Sequence, residues 1–212
     1  LTYGELQQTA DRIAANLLRL GVSPGEVVSY QLPNWWQFVA LHLALLRIGA
    51  VTNPVMPIFR DREMEFMLTL AETRVLIVPR RFRDFDHAAM ADRLKVKVPT
   101  LEQVVVIGSG DNRDFETVLN APQKPLEPTT ATSADQVVQL LYTSGTTGEP
   151  KGVMHTSNTL LNSVRYFEDR VRLIANDVVL MASPMAHQTG FLVGLLLPLY
   201  LGGRVVLQDI WN

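Results

Sequence analysis

The stretch VVQLLYTSGTTGEPKG, residues 137–152, runs from a continuous apolar segment into a loop with three glycines, four small hydroxyl side chains and one lysine. Residues 137–142 read as a strand covered on both faces, because their apolar character does not alternate. Gly145, Gly148 and Gly152 permit backbone angles closed to other residues and let a ligand approach the main chain. Successive N–H groups in such a turn can converge on an anion. Thr143, Ser144, Thr146 and Thr147 add uncharged hydroxyl donors, and Lys151 adds a point cation. All of these groups suit a phosphate. A Walker loop needs glycine directly before its lysine, whereas Pro150 stands there, and the spacing also misses G-x-G-x-x-G. A plain polar connection stays open as the alternative.

On the N-terminal side, Thr2-Tyr3-Gly4-Glu5 has capping-box spacing. Ile13, Leu17, Leu18 and Leu20 follow at helical spacing, so the pattern predicts a helix over residues 3–20 stopped by Gly21. After the turn Ser23-Pro24-Gly25, residues 26–32 predict a strand, and Asn34 is placed to cap a second helix that ends before Gly49. Strand-like runs recur at 50–52, 74–78 and 104–108, separated by helical segments near 62–70 and 83–95. Beyond the loop the pattern predicts a helix over 157–170, a strand over 178–182, a helix over 189–201 and a strand over 204–208. This alternation predicts an α/β fold, a mostly parallel sheet flanked by helices in the Rossmann-like manner. Pro122, Pro125 and Pro128 with four Ser/Thr mark residues 121–133 as a connector between a first α/β portion, 1–120, and a second portion of the same domain, 134–212.

A net charge of -2 gives no basic footprint, which argues against a nucleic-acid partner. The chain has no cysteine, which excludes disulfides and thiolate metal sites and is compatible with a reducing, cytoplasmic location. The most apolar runs, 35–51 and 191–203, are short for a bilayer and carry His42 and Arg47 or Pro198, so no transmembrane segment is expected. The chain opens on Leu1 with no signal-like segment, which leads to the expectation of a trimmed fragment.

The order Tyr142-Thr143-Ser144-Gly145-Thr146-Thr147-Gly148-Glu149-Pro150-Lys151-Gly152-Val153 resembles the signature loop of the adenylate-forming superfamily of acyl-CoA synthetases, peptide-synthetase adenylation domains and luciferases. Leu1-Thr2-Tyr3-Gly4-Glu5-Leu6 is similar to the family's L-T-Y-x-E-L element, and Gly49-Ala50-Val51 with Asn53-Pro54 is similar to its G-A-x-x-x-P segment. Ser183-Pro184-Met185-Ala186-His187-Gln188-Thr189-Gly190 resembles the P-x-F-H or P-x-A-H segment near the acyl pocket. The resemblance implies an ATP-dependent carboxylate–CoA ligase that uses Mg2+, forms an acyl adenylate and then a thioester of coenzyme A. It assigns Thr143, Ser144, Gly145, Thr146, Thr147, Gly148 and Lys151 to the phosphates, Thr143 also to the magnesium, and Lys151 to pyrophosphate departure. His187 becomes a catalytic candidate, at the carboxylate or as a gate between half-reactions, with capping or packing as its plainer role. Ala186, His187 and Gly190 become pocket candidates, joined by Phe191 and Gly194. Ala186 replaces the commoner phenylalanine, which favours a cyclic, aromatic or branched acid.

His42 and His87 have no second ligand at metal spacing and read as structural, His155 as a strand-face residue, and Trp35 and Trp36 as packing. Arg80-Arg81-Phe82-Arg83 reads as a solvated face. The family's Y-G-x-T-E and T-G-D elements, its hinge and its C-terminal lysine would follow Asn212, so residues 1–212 by themselves are expected to be inactive. An adenylation domain that loads a carrier protein and a non-catalytic α/β interaction module are the alternatives. Oligomeric state is not legible.

Overall fold

The computed structural model describes residues 1–124, 133–143 and 150–210. Helix α1 (Tyr3–Arg19) begins at the expected capping box: the Thr2 hydroxyl accepts from the Glu5 N–H, and the Glu5 carboxylate accepts the Thr2 N–H at 2.7 Å. Gly21 takes the left-handed angle, φ 84°, that stops the helix without a Cβ penalty. The α1 residues Ile13, Ala14 and Leu17 are buried against α2 (Trp36–Arg47). Helix α2 is apolar almost all round and buried along most of its length, because α1 covers it on one side and the sheet on the other.

The strands in chain order are β1 (Val27–Tyr30), β2 (Val51–Pro54), β3 (Val75–Pro79), β4 (Arg81–Phe82), β5 (Phe85–Asp86), β6 (Gln103–Ile107), β7 (Val137–Thr143), β8 (Lys151–Thr156), β9 (Val178–Met181) and β10 (Arg204–Leu207). The further helices are α3 (Asp61–Leu70), α4 (His87–Lys97), α5 (Phe115–Val118), α6 (Ser157–Val171), α7 (Gln188–Phe191) and α8 (Leu197–Leu201). A six-stranded sheet runs β6-β3-β1-β2-β7-β8, parallel throughout except for β8, which returns antiparallel to β7 at the edge. The mostly parallel α/β architecture is the one the alternation predicts. Strands β2 and β3 are buried at every residue, since separate hydrophobic cores fill the two faces of the sheet. One core gathers α1, α2, α6 and the segment 181–197; the other gathers α3, α4 and the outward faces of β3 and β6. A second, two-stranded parallel pair joins β9 to β10.

Four local readings change. The segment 81–86 forms a hairpin of β4 and β5 around Arg83 and Asp84, both at positive φ, so the helix expected from 83 starts at His87, where Asp86 caps it. Residues 151–156 form β8, hidden in the sequence by Lys151 and Gly152 at its start. The helix expected over 189–201 opens into a wide π turn, Leu192–Leu196, between α7 and α8, just ahead of Pro198, which has no N–H to return to Gly194. Asn34 is not a helix cap; α2 is preceded by Trp35, which makes no side-chain cap bond.

Asn34 instead ties the second strand pair to the sheet. Its Nδ2 donates to the carbonyls of Met181 (3.2 Å), Ser183 (2.9 Å) and Gln208 (3.0 Å), and its Oδ1 accepts the Met185 N–H at 2.8 Å. One buried amide therefore positions the segment 183–187. Asn34→Ala is expected to cost about 3 kcal/mol in urea unfolding, since it strands a buried N–H and several carbonyls. A loss under about 1 kcal/mol would contradict that role.

His42, on α2, is buried edge-to-face with Phe191, ring centroids 4.8 Å apart, and its Nδ1 has no partner. Burial pushes its pKa down from 6.5 to about 3. The unfolded chain takes up this proton first, so stability is intact above the unfolded value and falls as the pH drops below it. His42→Leu is expected to remove about 1.4 kcal/mol per pH unit from the acid slope of unfolding free energy between about pH 6 and about pH 4. An unaltered slope would refute the assignment.

Candidate functional site

In an open parallel sheet, ligands bind beyond the carboxyl ends of the strands, where neighbouring connections leave in opposite directions. Strand β2 feeds a crossover toward β3, while β7 turns the other way into β8, so the two diverge. A cavity of about 590 Å³ lies at that crevice. Pro54, Val55, Met56, Phe59 and Met67 wall one side, and Leu141, Tyr142, Thr143, Pro150, Val153 and His155 line the hairpin side. Ala186, His187 and Gln188 close it from the segment that Asn34 holds.

Thr143 and Lys151 are direct cross-strand partners, the last residue of β7 opposite the first of β8. The two strands that flank the loop singled out by the sequence therefore form an antiparallel pair whose ends, Thr143 and Pro150, line the cavity. Ser144, Gly145, Thr146, Thr147 and Gly148 lie outside the described residues, as does most of the connector, at 125–132. Tyr142, just before the loop, donates its hydroxyl to the Met67 carbonyl at 2.7 Å. Burial pushes its phenol pKa up, so it stays a neutral donor. The bond ties the hairpin to α3. Gly152 stands opposite Tyr142 and leaves room for the Leu140 side chain, which comes within 3.0 Å of where a Cβ would be.

His187 takes the plainer of its two expected roles, that of a cap, and also faces the cavity. It is the N-cap of α7, its Nδ1 accepting from the Thr189 N–H at 3.4 Å, and it lines the cavity. With Nδ1 as acceptor the neutral ring carries its proton on Nε2, which leaves a donor for a ligand. Ala186 is buried and lines the same cavity. Gly190 does not line it. A Cβ there would collide with the Pro184 carbonyl, so this glycine serves the close packing of α7 on the preceding loop. Gly194 likewise faces the Met181 side chain, and Phe191 is buried between Phe38 and His42. For these three, packing alone explains the residue type, since a helix rich in glycine can be small for its own core.

His155 is a strand-face residue as expected, and it also lines the cavity from β8. Desolvation lowers its pKa, and its Nδ1 sits 3.4 Å from the Thr159 hydroxyl. Only the hairpin register, with His155 opposite Gln139, places it there. Gln188 also lines the wall, its Oε1 buried without a partner. Among the described residues no cluster of three or more His, Cys, Asp or Glu could hold a metal ion. No helix among them is long and apolar enough to cross a membrane.

This geometry has close counterparts. The family model described as AMP-binding enzyme matches residues 1–212. The medium-chain fatty-acid–CoA ligase of Escherichia coli (strain K12) is 34% identical over 100% of this chain and 38% of its own length. The 2,3-dihydroxybenzoate-AMP ligase of Bacillus subtilis (strain 168) is 32% identical over 98% of the chain and 38% of its own. The apo structure of MbtA from Mycobacterium smegmatis superposes with a TM-score of 0.88 at 31% identity, covering 99% of this chain and 39% of that one. The chain thus spans about two fifths of the length of the curated relatives it matches. With its hairpin at the carboxyl edge of a parallel sheet, and with sequence likeness along its whole length, the chain belongs to the AMP-binding enzyme family.

Proposed function

We propose that this chain supplies the phosphate-binding hairpin and one wall of the acid pocket in an ATP-dependent carboxylate–CoA ligase, a cytoplasmic enzyme acting on a small-molecule acid. The observation that carries this reading is the pairing of Thr143 with Lys151 at the mouth of a cavity that Ala186 and His187 close. In the first half-reaction a carboxylate oxygen attacks the α-phosphorus of ATP. The α–β phosphoanhydride bond breaks, and pyrophosphate departs with the bonding electron pair. Residues 144–149 and the Thr143 hydroxyl bind the phosphates with uncharged donors. The Lys151 ammonium offsets charge as pyrophosphate leaves, an electrostatic role and not that of a base. In the second half-reaction the thiol of coenzyme A attacks the acyl carbonyl, and AMP leaves.

The donor set fits magnesium in a limited way. Thr143 offers a single oxygen and no described acidic cluster stands by, which suits an ion carried chiefly by substrate phosphates and water. Such an ion, when bound, supplies charge neutralisation. His187, held by Asn34 through the segment 183–187, offers its Nε2–H to the bound carboxylate and so orients it for attack. Ala186 leaves room beside it for a ring or branch. The thiol of a carrier protein is the second reading, favoured by a relative named salicyl-AMP ligase / salicyl-S-ArCP synthetase.

The test is ATP–pyrophosphate exchange in the full-length protein. Lys151→Ala is expected to lower turnover about 100-fold and Thr143→Val about 10-fold, with the Michaelis constant for the acid nearly unchanged. Unchanged turnover in both variants would overturn the reading and favour an interaction module. Residues 1–212 by themselves are expected to show no exchange. Robust exchange by them would refute the need for groups outside this span.

A further inference from the structure

The cavity wall at residues 55–60 is held by polar bonds to its main chain more than by burial. Ile58 is 64% exposed, and Met56, Pro57 and Phe59 are only half-buried. Gln31, fully buried just after β1, spends both amide hydrogens on this segment, donating from Nε2 to the carbonyls of Met56 (2.9 Å) and Phe59 (3.0 Å). Its own N–H donates to the Ile77 carbonyl at 2.9 Å, which anchors it to β3. Arg60 adds bonds from Nη1 to the carbonyls of Pro57 (2.7 Å) and Phe59 (2.9 Å), with its guanidinium 4.0 Å over the Phe85 ring.

The Gln31 amide could turn by half a revolution and present its oxygen to those carbonyls, which would repel it. His87, the first residue of α4, adds a bond that matches the unflipped orientation. Its Nδ1 lies 2.9 Å from Gln31 Oε1, and since that oxygen can only accept, the ring must donate from Nδ1. His87 Nε2 is then the lone-pair nitrogen, buried and unpartnered. Phe85 fixes the ring edge-on, with centroids 4.9 Å apart. Burial, aided by the Arg60 charge and opposed by Asp86, pulls the His87 pKa down to about 4, so the ring is neutral and the tautomer is stable near neutral pH.

We infer that Gln31 and His87 are positioning residues: through an oriented amide they shape the Met56 and Phe59 wall of the cavity, against which an elongated, weakly polar ligand chain packs. The wall presents Val55, Met56, Phe59 and Met67, an apolar strip suited to such a chain and to no charged group. That chemistry belongs both to an acyl tail and to the arm that carries an acceptor thiol. The inference rests on the ligase reading above and assigns parts to residues outside every motif that led to it.

The experiment compares Michaelis constants for octanoate, coenzyme A and ATP in the full-length protein. Gln31→Met and His87→Leu are expected to raise the constant for octanoate or for coenzyme A at least about five-fold, leaving that for ATP and the turnover number within about two-fold. His87→Asn keeps an N–H donor near the Nδ1 position and is expected to restore the constant to within about two-fold of the parent. A rise for octanoate identifies the acyl tail, and a rise for coenzyme A the acceptor arm. Thr73→Val is the stability control. It breaks the 2.6 Å Ser29–Thr73 hydroxyl bond in the same sheet and is expected to leave every constant unchanged. Constants that stay flat, or that rise in parallel for ATP, would overturn the inference, as would failure of His87→Asn to restore what His87→Leu loses. Should Gln31→Met not fold, the His87 pair decides alone. If Lys151→Ala and Thr143→Val both retain full turnover, the proposed part of the hairpin fails, whereas the split between constants still reads the clamp.

Discussion

The hairpin of β7 and β8 is the joint on which the geometry of the candidate site depends. Strand β7 lies parallel to β2 on one side and antiparallel to β8 on the other, so its last residue must emerge at the same edge as the other strand ends. A chain that turned instead into a crossover helix would carry its loop away from this edge. Because β8 returns at once, Thr143 and Lys151 are held at one level, with six residues spanning the gap between positions 143 and 150. Tyr142 fixes the hairpin from the side by its bond to Met67. A rigid base with a short span is the condition for main-chain donors to meet an anion without large reorganisation.

The remaining architecture supplies that rigidity from both faces. Apolar packing of α1 and α2 on one side and of α3 and α4 on the other leaves the strands little freedom. Within this packing, buried amides do the aiming. Asn16 donates to the carbonyls of Arg12, Leu119 and Ala121, and Asn34 and Gln31 act likewise on the segments at 183–187 and 55–60. The amide nitrogen of each donates to main-chain carbonyls of a segment distant in sequence, so a displaced loop would orphan several polar atoms together. The cavity is thus bounded by a hairpin that Tyr142 pins, a loop that Asn34 pins and a loop that Gln31 and Arg60 pin.

Much of this was legible in the sequence, for physical reasons that differ by element. The cap at Thr2 and Glu5, the stop at Gly21 and the apolar runs of β3 and β6 are local signals, and local signals survive folding. The start of β8 was hidden because a lysine and a glycine open it, and its partner lies across a loop. Asn34 carried a correct-looking cap signal that tertiary contacts overrode. Gly190 and Gly194 suggested a cavity, but an absent side chain serves close packing equally well, and only coordinates distinguish the two. His155 and Gln31 act through strand register and long-range bonds, which no spacing rule reveals. His187, by contrast, stands in a contiguous motif, so its place beside the cavity is legible from the sequence.

The most direct measurement of the central claim is the structure of the full-length protein with a non-hydrolysable ATP analogue and a carboxylate. The account predicts that the β- and γ-phosphates sit within the turn between Thr143 and Lys151, with the acid in the cavity beside His187. A triphosphate bound at any other edge of the sheet, with this turn empty, would contradict it.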